Sequence, residues 1–253
     1  MSIQDDRNWY LKNRPSMVST YLNQFVLIKD GGLVGAYPSY AAALQAAVSM
    51  FGTTPYFIHQ VRDPETQEVY VANGGFLGSG SPFLVRNGVP LGARPVQLGR
   101  PGPRRIALGE ASPGSVPELL RSKGALIDLR IGNATLIANQ MKSEGKQVPE
   151  PQAIVAMIDT GASISAIDSS VAASLGLQQT GSVQVGGVGG MSQQPVFAAS
   201  LEFAEPKIAY DPLSLSGSSL GAPDFQMLIG RNILCQMILT YDGAQGRFTL
   251  ARA

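Results

Sequence analysis

The sequence predicts a mainly β chain, in which a small α+β unit at the amino-terminal end is followed, across a connector, by a β-rich carboxy-terminal half. Three observations point there. Gly 29 and Pro 17 in 253 residues call for many turns, as architectures of short strands require. Between Thr66 and Glu118 the composition shifts to Gly, Pro, Ser and Arg, as in Gly78-Ser79-Gly80-Ser81-Pro82 and Ala111-Ser112-Pro113-Gly114. On either side of that stretch, short apolar runs are separated by turn signals. The expected divisions are residues 1–64, 65–118 and 119–253.

Composition excludes several classes. The formal net charge of +1 provides no long-range attraction to phosphate or anionic lipid, and the basic cluster Arg100-Pro101-Gly102-Pro103-Arg104-Arg105 has no aromatic interleaving, so no nucleic-acid partner is expected. The longest apolar runs, such as Ala153–Ile158, fall far short of the ~20 residues that span a bilayer, so no membrane partner is expected either. Cys235 alone forbids an intrachain disulfide, and Met1-Ser2-Ile3-Gln4-Asp5-Asp6 lacks the basic and apolar regions of a secretory signal. A cytoplasmic location is the expectation, and it makes Asn133-Ala134-Thr135 a chance sequon.

In the first unit, Gln24–Ile28 and Leu33–Tyr37 are apolar runs around the hairpin signal Lys29-Asp30-Gly31-Gly32. Ser39 caps a helix that carries Ala43, Leu44, Ala47, Val48 and Phe51 at helical spacing and stops at Gly52. Tyr56–Val61 supplies a third strand. It contains His59, the sole histidine, which has no visible partner and reads as structural rather than as a base. In the connector, Glu68–Ala72 and Pro82–Val85 are short β-like pieces that can extend either neighbouring sheet.

Beyond the connector, Ala125–Ile131 and Ala134–Ala138 read as strands paired around the turn dipeptide Gly132-Asn133, and Lys142–Pro151 as a loop. Ser169–Leu175 reads as a short helix stopped by Gly176. Pro206–Phe225 reads as a Gly/Ser/Pro-rich insertion. Within it, Gly217-Ser218-Ser219-Leu220-Gly221 matches a nucleophile elbow in letters only, since no His follows it. Met237–Tyr241 and Arg247–Leu250 form a terminal hairpin around Asp242-Gly243-Ala244-Gln245-Gly246.

The chemistry centres on Ala156-Met157-Ile158-Asp159-Thr160-Gly161-Ala162-Ser163-Ile164, where an apolar strand runs into a carboxylate and then small residues. A buried Asp is costly unless its oxygens are hydrogen-bonded, and small neighbours let backbone N–H groups reach it. The bland alternative is a turn-capping Asp.

Asp159-Thr160-Gly161-Ala162 after apolar residues resembles the active-site signature of aspartic proteases. Two further segments follow in the order of the single-lobed, retropepsin-like branch. Val185-Gly186-Gly187-Val188-Gly189-Gly190 resembles a flap tip, and Leu228-Ile229-Gly230-Arg231-Asn232-Ile233-Leu234 the apolar-Gly-Arg segment beneath the site. The glycine run has neither the Lys-Ser/Thr ending nor the strand-to-helix context of a phosphate loop.

The resemblance implies a β-barrel acid-protease domain that hydrolyses peptide bonds with no cofactor and no metal. It gives Asp159, Thr160 and Gly161 the catalytic loop, and Ala162, Ser163 and the flap residues 185–190 the contacts to a peptide or protein substrate. Ile229, Gly230, Arg231 and Asn232 become structural support. Aspartic proteases need two carboxylates sharing a proton, and this chain has a single Asp-Thr-Gly, so the resemblance implies a homodimer with Asp159 from each copy. Ser163 departs from the viral pattern, in which an acidic residue there pairs with the arginine; Asp168 or the terminal strands are left as partners for Arg231. A catalytically silent dimerisation or peptide-binding module is the alternative from another class. A third reading puts the function in residues 20–62, with the protease-like half serving dimerisation.

Overall fold

The computed structural model describes residues 2–63, 68–69, 116–187, 190–203, 208–222 and 224–253. Pro82–Val85 and most of the connector lie outside these residues.

The chain opens with a helix that sequence periodicity does not reveal, α1 (Ile3–Tyr21). Its apolar residues form no clean stripe and Pro15 lies inside it, but its start carries a capping box: the Asp5 N–H donates to Ser2 Oγ and the Ser2 N–H to Asp5 Oδ2. Buried Asp6 accepts a 2.8 Å bond from the Gly31 N–H and so ties α1 to the turn between β1 (Phe25–Lys29) and β2 (Gly32–Tyr37). The helix α2 (Tyr40–Phe51), capped by Ser39 and ended at Gly52 with φ +60°, and the strand β3 (Phe57–Gln60) complete the unit.

The three strands lie in the order β2-β1-β3. Strand alternation then sorts the core onto two faces. Val26, Ile28 and Phe57 pack with Tyr10 and Met17 of α1, while Leu27 and Ile58 pack with Ala43, Leu44 and Val48 of α2. The second of these clusters does not end with the unit. It includes Ala134, Ile137 and Ala198 from the carboxy-terminal half, so the two halves share one apolar core.

After β4 (Glu68–Val69) and α3 (Val116–Lys123) come β5 (Leu126–Asn133), α4 (Thr135–Ser143), β6 (Gln152–Ile158), β7 (Ala166–Asp168) and α5 (Ser169–Ser174). They are followed by β8 (Gln179–Gly187), β9 (Gly190–Phe203), β10 (Ile208–Ser218), β11 (Met227–Ile229) and α6 (Arg231–Leu234). The strands β12 (Met237–Asp242) and β13 (Arg247–Arg252) form the expected terminal hairpin. The sheet order β10-β7-β11-β6-β5-β9 closes through a β9–β10 pairing into a six-stranded barrel. β8 continues from β9 as a hairpin, and β4 adds to β8 in parallel, opposite Val185 and Gly186. Ile127, Leu129, Ile131, Ala156, Leu201, Phe203, Leu215 and Ile229 fill the barrel core. The mainly β class, the barrel and the preceding α+β region match the sequence expectation.

Two local expectations are corrected. Ala134–Ala138 is not a strand, because α4 begins at Thr135. Nothing local caps it, and the start is secured from β10, where the Asp211 carboxylate accepts from the Thr135 N–H (3.1 and 3.2 Å) and from the Thr135 hydroxyl. Gly132-Asn133 accordingly ends β5 rather than turning. The Asn133 side chain donates to the Leu175 carbonyl at 2.8 Å, and a Cβ at Gly132 would lie 3.0 Å from Pro151. The Pro206–Phe225 stretch is likewise no insertion, since it contains β10, which closes the barrel. Leu213 and Leu215 face inward between serines, and a register shift between Tyr210 and Leu213 accommodates Pro212.

The two halves are also fastened by polar groups. The Glu144 carboxylate, just past α4, accepts from the N–H and hydroxyl of Thr53, from Gln140 and from Lys146. The Lys146 ammonium first, then the Thr53 and Gln140 donors, hold its pKa down at about 2. That lies below the ordinary 4.5, so the stabilisation is complete above pH 4.5 and disappears as pH falls through about 2. Glu144→Gln is therefore expected to lower the Tm at pH 7 by about 1–3 °C, with the gap to wild type closing between pH 4.5 and 2. Thermal melts across that range check this; a gap that does not change with pH would remove the carboxylate from the account.

Candidate functional site

Parallel pairing of β6 with β11, Met157 beside Leu228 and Ile158 beside Ile229, brings the Asp159 loop and the Gly230 segment together. The two then interlock through the backbone. The Asp159 N–H donates to the Ile229 carbonyl (3.0 Å), the Arg231 N–H to Ala162 (2.9 Å) and the Asn232 N–H to Ser163 (3.2 Å). Gly230 is required at the crossing, because a Cβ there would sit 2.7 Å from the Ile164 carbonyl carbon.

Ser165 and Asn232 complete the knot. Ser165, fully buried, donates its N–H and its hydroxyl to Asn232 Oδ1, both at 2.8 Å, and its Oγ accepts the Gly230 N–H at 3.0 Å. Sequence reading missed Ser165, whose only signal is a hydroxyl in an otherwise apolar run. The Arg231 Nη1 donates to the carbonyls of Thr160 and Gly161, both at 2.9 Å, so the arginine uses backbone where an acidic side chain was expected. Asp168 is not its partner. It caps α5 through the hydroxyl and N–H of Ser170 and also accepts from the Leu220 N–H; the Ser170 hydroxyl is the largest cause of its lowered pKa.

Asp159 itself is 9% exposed. Its Oδ1 accepts from the N–H groups of Gly161 (2.9 Å) and Ala162 (3.2 Å), while its Oδ2 is buried and has no hydrogen-bond partner among the described residues. The sequence-level idea of small residues letting N–H groups reach the carboxylate is met on one oxygen and left open on the other. Ala162, fully buried, packs with Met157, Leu228 and Val185. The β8–β9 hairpin base thus sits against the Asp159 loop. Gly186 lies on β8, and Gly187 pairs with Gly190 at the end of the hairpin. Val188 and Gly189 lie outside the described residues.

Below this hairpin, β8 leans on the amino-terminal unit. A Cβ at Gly181 would be 3.0 Å from the Ile58 carbonyl, and the Tyr40 hydroxyl meets Thr180 Oγ1 at 2.9 Å. Burial is the larger influence on Tyr40 and raises its pKa. His59 stacks on Phe57 with centroids 5.7 Å apart and lies 4.6 Å from the Tyr10 ring, in keeping with a structural residue. Ser163 and Ile164 share a cavity with this unit.

Comparison with known families adds a match of residues 143–233 to the model described as aspartyl protease, a span that contains Asp159, β8, β9 and the Gly230-Arg231 segment. Among solved structures, the protease of simian foamy virus (mac) is similar at 15% identity and a TM-score of 0.26, covering 44% of this chain and 92% of that one. No curated protein sequence matches the chain. Within the carboxy-terminal half, residues 143–233 are thus similar to the aspartyl protease family. No helix among the described residues is long and apolar enough to cross a membrane.

The Ser165–Asn232 knot carries a quantitative expectation. Asn232→Ala leaves two donors of a fully buried residue without an acceptor, at a cost of about 1–3 kcal/mol. Urea unfolding measures it, and a loss below about 0.5 kcal/mol, the size of an ordinary surface substitution, would show that the loop does not depend on Asn232.

Proposed function

We propose that the protein is an aspartic endopeptidase whose active site forms between two copies of the chain, each contributing Asp159. One observation carries this reading: a carboxylate buried to 9% exposure with one oxygen fixed by two N–H groups and the other without a partner. A carboxylate that only capped a turn would leave its second oxygen in solvent. An orphaned, desolvated Oδ2 suits a group that meets a second carboxylate and a reacting water.

In this reading the two Asp159 carboxyls share one proton, as aspartic-protease dyads do, because like charges so close cannot both ionise. The ionised one takes a proton from water as the water oxygen attacks the peptide carbonyl, and the protonated one donates to the carbonyl oxygen. The tetrahedral intermediate collapses with C–N cleavage, and the amine leaves with a proton from the dyad. Thr160 is exposed and its hydroxyl makes no hydrogen bond to any described residue, which leaves it available to brace the partner's loop. In this reading the β8–β9 hairpin, with Val185, Gly186, Gly187 and Gly190, covers an extended substrate and Ser163 lies beside it, while Ile229, Gly230, Arg231 and Asn232 hold the loop from beneath. Ile238 and Tyr241 on β12, 52% and 55% exposed, offer apolar surface to a second copy. A cytoplasmic setting suits the exposed free thiol of Cys235.

The test uses mixed dimers. Wild-type chains combined with an equal amount of differently tagged Asp159→Ala chains should keep roughly a quarter of the activity per total chain, since random pairing leaves only that share of dimers intact. A site complete in each chain would keep about half. Absence of peptide cleavage by wild type between pH 4 and 7, with no binding of a hydroxyethylene transition-state mimic, would leave the silent-module alternative standing.

A further inference from the structure

We propose that the amino-terminal unit builds an outer wall of the substrate cleft, and that the cavity between it and the barrel takes an acidic side chain of an extended peptide within about four residues of the cleaved bond. The proposal rests on the peptide-hydrolase reading and adds a substrate preference to it.

The cavity measures about 470 Å³, within the ~300–1,000 Å³ range of ligand sites. Arg7, His59 and Arg62 line it from the amino-terminal unit, and Ser163, Ile164 and Gln184 from the barrel. Its barrel side belongs to the elements that flank Asp159. Ser163 lies in the same loop, and because a chain spans at most ~3.6 Å per residue its Cα is within about 14 Å of that of Asp159. A peptide in strand conformation advances ~3.3 Å per residue, so about four residues reach from the reacting bond to this wall. Gln184 lies on β8 between Ser182 and Val185, the residue that packs on Ala162.

The charge of the lining gives the chemistry. Among the described residues, two guanidiniums and an imidazole line the cavity, and no carboxylate does. The Arg62 Nε and Nη2 donate to Gln60 Oε1 at 2.9 and 2.7 Å, which sets the orientation of that side chain. Arg7 is half-buried and makes no hydrogen bond or ion pair with any described residue. Of the described carboxylates close in sequence, Asp6 accepts from the Gly31 N–H and Asp63 lies 3.6 Å from Arg14. A partly desolvated guanidinium such as that of Arg7, with no anion among the described residues, is unfavourable, and a carboxylate matches its planar fork. Leu11 and Val183, also in the lining, give the stem of such a side chain apolar contact.

Fluorescence anisotropy with full-length Asp159→Asn chains tests this, using labelled neutral peptides in which one glutamate is walked along the sequence and compared with glutamine at the same place. One position is expected at which glutamate binds about tenfold tighter or more. Arg7→Gln should erase that ratio, Arg7→Lys retain it, and Arg7→Glu turn the preference toward lysine. If Arg7→Glu does not fold, salt answers the same question, since the wild-type ratio should shrink from 0.05 to about 0.5 M. Equal binding of glutamate and glutamine peptides at every position, no binding at all, or a preference indifferent to Arg7 overturns the proposal. Wild-type cleavage of the same peptides separates it from the reading beneath it. A charge preference in binding with no cleavage supports the cavity and rejects the hydrolase, whereas cleavage without charge preference rejects the cavity alone.

Discussion

Everything at the candidate site hangs on the crossing of the Asp159 loop over the Gly230 segment. Two carboxy-directed strands, β6 and β11, lie parallel and deliver their ends side by side, and the chain leaving each one bonds to the other. Parallel neighbours cannot be joined by a short turn, so the contact has to be made between stretches some seventy residues apart in sequence, as in the bond from the Arg231 Nη1 to the Gly161 carbonyl. Such a contact is long-range in the chain and belongs to the same closed sheet as β9 and β10. The carboxylate is thereby placed by tertiary structure, and its immediate neighbours in sequence contribute mainly by being small.

The crossing is maintained by neutral hydrogen bonds more than by charge. Where an arginine and an acid would balance one another, Arg231 sits on two carbonyl oxygens, and Ser165 with Asn232 forms an uncharged three-way link to Gly230. A loop held this way does not lose its support when acidic conditions protonate carboxylates. The polar fastening that does depend on a carboxylate, Glu144 with Thr53 and Lys146, lies away from the site and joins the two halves.

Much of the fold was legible where local pattern and tertiary role agree. The Lys29-Asp30-Gly31-Gly32 turn, the Ser39 cap, the Gly176 stop and the terminal hairpin are encoded within a few residues, and each stands where the sequence put it. The failures share another cause. α4 starts at Ala134-Thr135 because Asp211, far along the chain, accepts its first N–H groups, and no local signal announces that. β10 carries Pro212 and several serines, which read as loop, yet the closed barrel needs a strand there and the register shift makes room for the proline. α1, which packs on one face of a small sheet, shows no clean stripe in sequence, leaving the Ser2/Asp5 box as its one local mark. At the site, the Asp159 and Gly230 segments were readable as patterns, but the role of Ser165 was not, since a single hydroxyl acquires meaning only from what it faces.

The close approach of Gly181 to the Ile58 carbonyl has a mechanical consequence. Backbone against backbone leaves no side chain to slide, so at that point β8 is soldered to β3 and, through the shared core behind α2, to the rest of the amino-terminal unit. The β8–β9 hairpin is therefore a cantilever with its root at Gly181 instead of at the barrel rim. Any opening over the Asp159 loop has to be taken up beyond that root, between Ser182 and the Gly187/Gly190 pair, a short arm that swings through a small arc. In the proposed reading, that geometry favours slender, extended chain over folded surfaces.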